Sequence, residues 1–391
     1  MPKLLPVCLV ALATAAGVAL AGSAARTPTP SACLSPGQWF TPAGDYTTAI
    51  PQPALLGEVA GKRVVLLGEH HDDADHHRWQ LQVIVALHAR QPNLVIGMEM
   101  LPRRAQPVLD QWVAGRLTES ELLTQTNWAR VWGFDPGMYL PILHFARLNR
   151  IPVIGVNVDR KLISEISDKG LAGLPAERRE GVSAPAVARA KYRDELTQVF
   201  REHGHGANDE GTLARFIEAQ LFWDRAFAEA LATAAKSPAR PLVVGIMGSG
   251  HLLGGEGVPH QLADLGFAES AVLLPVDADT PCNELPSGMA QAVFALPPSP
   301  MEGTAPRPRL GVTLEPVTDG VRVAEVTAGS VADKAGLKAG DLVREIASQP
   351  VKEGRDVTDA VARQAPGTWL PLTVVRGGGQ IDLVAKFPPT P

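Results

Sequence analysis

The strongest constraint on this chain is a repeated phrase, a short apolar run that ends on glycine and then on carboxylates or imidazoles. Arg63-Val64-Val65-Leu66-Leu67 runs into Gly68-Glu69-His70-His71-Asp72-Asp73. Leu94-Val95-Ile96 runs into Gly97-Met98-Glu99-Met100, and Ile151-Pro152-Val153-Ile154 into Gly155-Val156-Asn157-Val158-Asp159. Pro241-Leu242-Val243-Val244-Gly245-Ile246 leads to Gly248-Ser249-Gly250-His251, and Ala271-Val272-Leu273-Leu274 adds another run. Runs this short and this uniformly apolar read as strands buried on both faces. Helical stretches at Ala74–Arg90, Arg103–Val113, Met138–Arg150 and Phe216–Ala234 separate most of them. The pattern predicts an α/β fold, a mainly parallel sheet flanked by helices. The carboxyl ends of such strands share one edge, where these folds place ligands. Glu69, His70, Glu99, Asp159 and His251, distant in sequence, are therefore expected to converge.

Charge and length narrow the reading. With 36 Lys and Arg against 41 Asp and Glu, the net charge is −5, which argues against a nucleic-acid binder. A chain of 391 residues predicts two folded units. Five of the twelve residues from Pro297 to Pro308 are proline, which reads as an extended linker between them. All ten histidines lie between His70 and His260, so imidazole chemistry belongs to the first unit alone.

The amino-terminal residues set an expected address. Met1-Pro2-Lys3, an apolar run from Leu4 to Leu20 and Ala19-Leu20-Ala21 make a secretory signal peptide cleaved near Ala21. The expected organisation is a signal peptide over 1–21, a lead-in over 22–56, an α/β domain over 57–296, a linker over 297–308 and a closing domain over 309–391. Export, to the periplasm, leaves Cys33 and Cys282 in an oxidising compartment. Their spacing leaves bridged and free forms equally open.

Glu69 to His77 holds four imidazoles and four carboxylates within nine residues. Imidazole with carboxylate suits Zn, Mn, Fe or Ni, although the spacing matches no named metal motif. On the later helix, Leu213, Phe216, Gln220, Phe227 and Leu231 share the core face, and Asp224 falls one turn beyond Gln220. An amide and a carboxylate on an apolar face need a partner, either a ligand or buried polar groups. His203 and His205 stand in a Gly-rich turn, as ligands from a lid or as solvent-facing residues. His88 and His144 read as structural.

Several of these segments resemble one family. Gly68-Glu69-His70-His71, His76-His77-Arg78-Trp79-Gln80, Gly97-Met98-Glu99-Met100, Tyr139 after Trp132, Ala219-Gln220 with Trp223-Asp224, and Gly248-Ser249-Gly250-His251 resemble the ChaN family of haem-binding uptake proteins. That family is grouped with Tiki-type metalloproteases and erythromycin esterases. The resemblance implies haem binding, a role in haem or iron uptake, and a possible homodimer. Axial ligands to haem iron are usually His, Tyr, Met or Cys. Tyr139 is the Tyr candidate, with His76, His203 or His205 on the other side and Gln220 and Asp224 as further cofactor-binding residues. Met98 and Met100 read as packing residues. The competing reading is a metal-dependent hydrolase, an esterase or peptidase using a divalent metal such as Zn or Mn. There Glu69 is the general base, Glu99 joins the catalytic set, and His70, His76 and His251 hold or orient metal-bound water. Ser249 lacks the first glycine of a nucleophile elbow, so a serine hydrolase is not expected.

Beyond the linker, Arg309-Leu310-Gly311-Val312, a strand at Val321–Val326, and the stretch from Gly329 through Gly340-Asp341 to Val343 resemble a PDZ domain of the bacterial protease-associated type. Ser330 is placed to cap a short helix, Val357–Gln364 to form a second, and Pro371–Arg376 with Ile381–Phe387 to close a small, mostly-β fold. PDZ domains add a carboxyl-terminal peptide to an open sheet edge. The resemblance makes Arg309, Leu310, Gly311 and Val312 the carboxylate loop and Val361 part of the side-chain pocket. It implies tethering or substrate presentation rather than proteolysis.

Overall fold

Strand alternation sends successive side chains of the first apolar run to opposite faces, and both faces are covered. This is a computed structural model that describes residues 33–44, 46, 48–202, 210–298, 308–318, 320–347, 349–362, 364 and 367–388. It divides into two compact units, Met1–Ser299 and Pro300–Pro391. The expected signal segment and most of the proline-rich stretch lie outside the described residues.

The first unit runs β1 (Trp39–Phe40), α1 (Gln52–Ala60), β2 (Val64–Glu69), α2 (Ala74–His88), β3 (Leu94–Pro102), α3 (Gln106–Val113), α4 (Glu119–Thr126), α5 (Trp128–Val131), α6 (Leu140–Leu148), β4 (Val153–Asn157), α7 (Arg160–Lys169), α8 (Ala190–Glu202), α9 (Glu210–Ala235), β5 (Leu242–Gly248), α10 (Val258–Asp264), β6 (Ala271–Asp277) and β7 (Ala292–Leu296). Its seven strands lie in the order β1-β7-β6-β2-β5-β3-β4. All pairs are parallel except the edge pair β1–β7.

Every residue of β2 is buried. Val65 and Leu67 pack with Trp79 and Ile84 of α2, Trp112 of α3 and Ile142 of α6. Val64 and Leu66 pack on the other face with Phe227 and Leu231 of α9 and Leu262 of α10. Each such aliphatic contributes about 1.5–3 kcal/mol by leaving water. The parallel neighbours β6-β2-β5-β3 bring the ends of four separate runs to one edge, as the α/β reading requires.

Local chemistry fixes where the helices begin. Asp73 caps α2, accepting from the Asp75 and His76 backbone N–H groups, so His76 and His77 fall in its first turns. Helix α3 starts at Gln106 rather than Arg103, because Pro107 occupies its first turn and a short 3-10 turn, Arg103–Ala105, precedes it. Helix α9 begins at Glu210, ahead of the expected Phe216. Cys33 and Cys282 are bridged, with Cα atoms 5.9 Å apart. Among the described residues no helix is long and apolar enough to cross a membrane.

The second unit comprises β8 (Val312–Val317), β9 (Gly320–Val326), α11 (Val331–Ala335), β10 (Leu342–Ile346), β11 (Gln349–Pro350), α12 (Gly354–Ala362), β12 (Trp369–Arg376) and β13 (Gly379–Lys386). Its antiparallel sheet has the order β13-β12-β10-β9-β8, with β11 paired to β10. Val321, Val323, Val343, Leu372 and Val374 form its core with Val357 and Val361 of α12. Ser330 caps α11 by accepting from the Asp333 N–H.

Candidate functional site

The chain turns just after β2, with the Asp73 N–H donating to the His70 carbonyl at 3.1 Å, and this folds the His71 ring back on Glu69. Glu69 and His71 therefore meet, with His71 Nδ1 at 2.6 Å from Glu69 Oε1. His77 approaches the same carboxylate from α2, its Nδ1 2.9 Å from Glu69 Oε2. That Nδ1 also faces Gln80 Oε1 at 3.2 Å, and its Nε2 faces the His71 carbonyl at 3.2 Å. Both ring nitrogens of His77 thus point at acceptors, the arrangement an imidazolium needs. Tyr139 donates its hydroxyl to the His71 carbonyl at 3.1 Å and lies 3.4 Å from Glu69 Oε1. The His71 ring packs edge-on against Trp132, centroids 4.7 Å apart, and beside Phe134 at 5.3 Å.

A second imidazole–carboxylate pair comes from β5 and α9. His251 Nδ1 is 2.6 Å from Asp224 Oδ1, and Tyr192 of α8 donates to Asp224 Oδ2 at 2.7 Å. The Gln220 amide lies 3.2 Å from the same His251 nitrogen. Glu99 of β3 stands between the two pairs. Its Oε2 accepts the Gly248 N–H at 2.7 Å and its Oε1 is 3.7 Å from His251 Nε2. Gly248 leaves room for the His71 ring, because a Cβ there would lie 2.9 Å from Cε1 of His71 and 3.7 Å from Glu99 Oε2.

Electrostatics follow from these contacts. Burial alone would raise the Glu69 carboxyl, but His71 and His77 outweigh it and hold its pKa below the ordinary value. Burial would lower His71 and His251; their bonds to Glu69 and Asp224, with the charge of Glu99, raise both. His77 is raised in the same way, chiefly by Glu69 against burial. His76 moves the opposite way, to about 4, because burial dominates over Asp73. Its Nδ1 accepts the His70 backbone N–H at 2.8 Å, consistent with a neutral ring. Burial, then Glu69, pushes the Tyr139 phenol up.

Glu69, Glu99 and His251 converge as the strand-end pattern predicts, together with Asp224 and Gln220. The His70 side chain is exposed, and only its backbone enters the network. Asp159 does not join: it caps α7 through the Lys161 N–H and pairs with Arg104 at 3.5 Å. Its strand instead contributes Asn157, which donates to the Glu99 carbonyl and accepts from Trp223 Nε1, at 2.9 and 2.8 Å. Tyr139 is fully buried with its hydroxyl committed to the wall of the site. His76 is buried with Nδ1 occupied, and its ring lies 5.0 Å from that of His70. His70, His76 and His251 do not surround one point. Among the described residues no three or more His, Cys, Asp or Glu side chains are grouped to hold a metal ion, which corrects that expectation. His203 and His205 lie outside the described residues. The sequence pattern assigns no role to His71, Trp132 or Tyr192, and the turn that brings His71 back onto Glu69 carries no periodic signal.

In the second unit, the Leu310 carbonyl accepts from Ala332 N–H and the Gly311 carbonyl from Thr327 N–H, so the Arg309–Val312 loop is held from behind. Gly311 adopts φ 84° against Ser330, where an added Cβ would collide. Arg309 is exposed, Val312 partly buried, and Val361 of α12 buried in the core of the unit.

Fold and site together define an α/β protein with a histidine–carboxylate centre at the sheet edge, followed in the chain by a small antiparallel module. The family model described as "Haem-binding uptake, Tiki superfamily, ChaN" matches residues 55–262, and the PDZ domain model matches residues 308–386. The chain belongs to the ChaN family of haem-binding uptake proteins and carries a PDZ domain. Its fold is similar to the structure titled "Cofacial heme binding to ChaN of Campylobacter jejuni", at 21% identity over 63% of this chain and 92% of that chain, TM-score 0.50. It is 38% identical over 89 residues to a "Probable periplasmic serine endoprotease DegP-like" of Rhizobium meliloti (strain 1021). That match spans 20% of this chain and 18% of that protein, so the chain spans under a fifth of this curated relative. The structure "HtrA-type protease AlgW with decapeptide" is 30% identical over 22% of this chain and 30% of that chain, TM-score 0.21.

Proposed function

We propose that the protein is an exported haem-binding protein of haem or iron uptake, whose PDZ domain captures the carboxyl-terminal peptide of a partner. The observation that carries this reading is the coincidence of the family match over 55–262 with an imidazole-lined sheet edge walled by Trp132 and Phe134. The donor set fits haem: imidazole nitrogens suit its iron and aromatic rings suit its face. Two buried polar atoms of this wall, Glu69 Oε2 and Trp132 Nε1, make no hydrogen bond of good geometry. Haem, when bound, supplies chelated iron as the cargo. Of the site's side chains His70 is exposed and His71 and Gln220 partly buried, so these would meet haem first, while Asp224, Tyr192 and Glu99 hold His251 in place. The Cys33–Cys282 bridge and the apolar run at Leu4–Leu20 support export to the periplasm.

Titrating the full-length protein with hemin is expected to give a saturable Soret band at one haem per chain. Fluorescence titration with peptides is expected to show binding that disappears when the terminal carboxylate is amidated. A protein that takes up no hemin overturns the first half of this reading, and indifference to amidation overturns the second.

One observation favours a second reading, acid–base hydrolysis: two imidazole–carboxylate pairs flank Glu99 across Gly248. Turnover of ester or peptide substrates that vanishes in Glu99→Gln while hemin uptake persists would support it.

A further inference from the structure

We propose that the first unit carries a second ligand site at the opposite end of its strands, a pocket for a small, multiply charged anion of the phosphate class. The candidate site described above lies where β2, β3 and β5 end. Where β2, β5 and β6 begin, three turns enclose a cavity of about 500 Å³. The α1–β2 turn contributes Lys62 and Arg63, the α9–β5 turn Lys236 and Arg240, and the α10–β6 turn Phe267 and Ser270. Four cations thus line one cavity in a chain whose net charge is −5. Among the described residues Glu269 is the one carboxylate in its wall, and that side chain is 87% exposed.

Helix ends account for part of this charge. Helices α1, α9 and α10 all finish here, each with about half a negative charge on its last carbonyls. Together they offset about one and a half of the three positive charges that the four cations leave after Glu269. Two of the cations are already engaged. The Arg63 guanidinium donates to the Ala235 carbonyl at the end of α9, and Lys62 pairs with Glu269 at 3.5 Å. Among the described residues neither Lys236 nor Arg240 makes a side-chain hydrogen bond or ion pair. Lys236 Nζ stands 5.9 Å from the centroid of the Phe267 ring. Like charges held around a walled cavity repel one another and focus a positive potential on its centre, and an anion there relieves both. The donors select its class. Guanidinium forks match the paired oxygens of a phosphate, and lysines add point charges. Arg63 keeps most of its N–H groups for such a ligand, since its side chain makes one hydrogen bond among the described residues. One carboxylate would leave most of these donors unmatched, whereas linked phosphates meet two cationic turns at once. Free pyrophosphate and the headgroups of an anionic phospholipid surface both present this chemistry.

The test is calorimetric titration of the full chain with inorganic pyrophosphate, paired with sedimentation on phosphatidylglycerol and phosphatidylcholine vesicles. Saturable binding at one site per chain is expected, weakening as salt is raised. Pyrophosphate is also expected to shield Lys236 of the wild type from an amine-acetylating reagent, read by peptide mass spectrometry, which needs no variant. Replacing two exposed side chains together, Lys236→Ala with Arg240→Ala, is expected to weaken pyrophosphate binding about tenfold or more. The melting temperature and the hemin titration of that double variant are expected to match the wild type. Phosphatidylglycerol vesicles that capture the wild type and release it to pyrophosphate identify a headgroup as the source; otherwise the bound anion is a soluble one. Failure to bind hemin leaves this inference standing, because no residue of the cavity belongs to the strand-end site. Three results overturn it: no pyrophosphate binding by the wild type, equal binding by the double variant, or acetylation of Lys236 that pyrophosphate does not slow.

Discussion

At the residue scale, the chemistry of this site is a matter of which neighbour each imidazole finds. Gly248 shows how small the margin is. A methyl group there would press on a ring edge rather than on backbone, so the fold can absorb it but His71 must rotate. Gly248→Ala is therefore expected to leave the melting temperature of the full chain close to wild type while weakening hemin binding at the sheet edge that His71 borders. Parallel melting and hemin titration check this; equal loss in both would mean the glycine serves packing alone. Sequence pattern was enough to place Glu69, Glu99 and His251 at one edge, because each ends an apolar run. It was not enough to choose among adjacent histidines. His70 and His71 are neighbours in the turn that leaves β2, and that turn decides which ring folds back on Glu69; Asp159 is drawn away by the unsatisfied N–H groups of α7.

At the element scale, the second unit depends on a tie between two strands. Asp341, just before β10, accepts from Arg376 of β12 through both oxygens, at 2.6 and 2.7 Å, and from the Lys338 N–H at 2.8 Å. Burial alone would raise its carboxyl; Arg376 and that backbone N–H outweigh it and lower the pKa from 3.8. A depressed folded-state pKa means the stabilisation is complete above the unfolded value and is lost as pH falls through the lower folded one. Unfolding of the second unit within the full chain is thus expected to be independent of this group above about pH 5 and to ease below about pH 3.8. Asp341→Asn is expected to cost about 2 kcal/mol at neutral pH and to flatten that acid limb, as followed by urea melts at several pH values. Gly340-Asp341 read in the sequence as a turn, and it is one. The ion pair was not readable, because its partner lies on a strand reached only after three further elements, β10, β11 and α12. Helix starts were misjudged where a cap or proline decides them, as at α3, and edge strands as short as β1 carry too few residues to show a period.

At the scale of the whole molecule, the sheet has to protect an edge, and the disulfide is how β7 keeps its cover. Strand β1 contributes two ladder pairs and one isolated bridge, Trp39 with Ile50, too little to hold by backbone pairing alone. Trp39 adds side-chain packing against Trp79 and Phe294, with centroids 5.8 and 5.0 Å apart. The Cys33–Cys282 bond fastens the segment leading to β1 to the connection between β6 and β7, and it closes a sequence separation of 249 residues. Closing a loop of that length removes entropy from the unfolded chain and so stabilises the fold, typically by about 2–4 kcal/mol. The site lies at the ends of β2, β3 and β5, which reach β7 only through β6. Reduction should therefore act on the edge before it acts on the site. Under reducing conditions, or in Cys282→Ser, hydrogen exchange is expected to rise first across 33–50 and in β7, with a change in Trp39 fluorescence. Protection of β2, β5 and β3 and hemin binding are expected to persist until the lowered melting temperature is reached. Simultaneous loss of protection in β2 and β7 well below that temperature would show that the bridge holds the sheet as one unit, and the edge argument would fall.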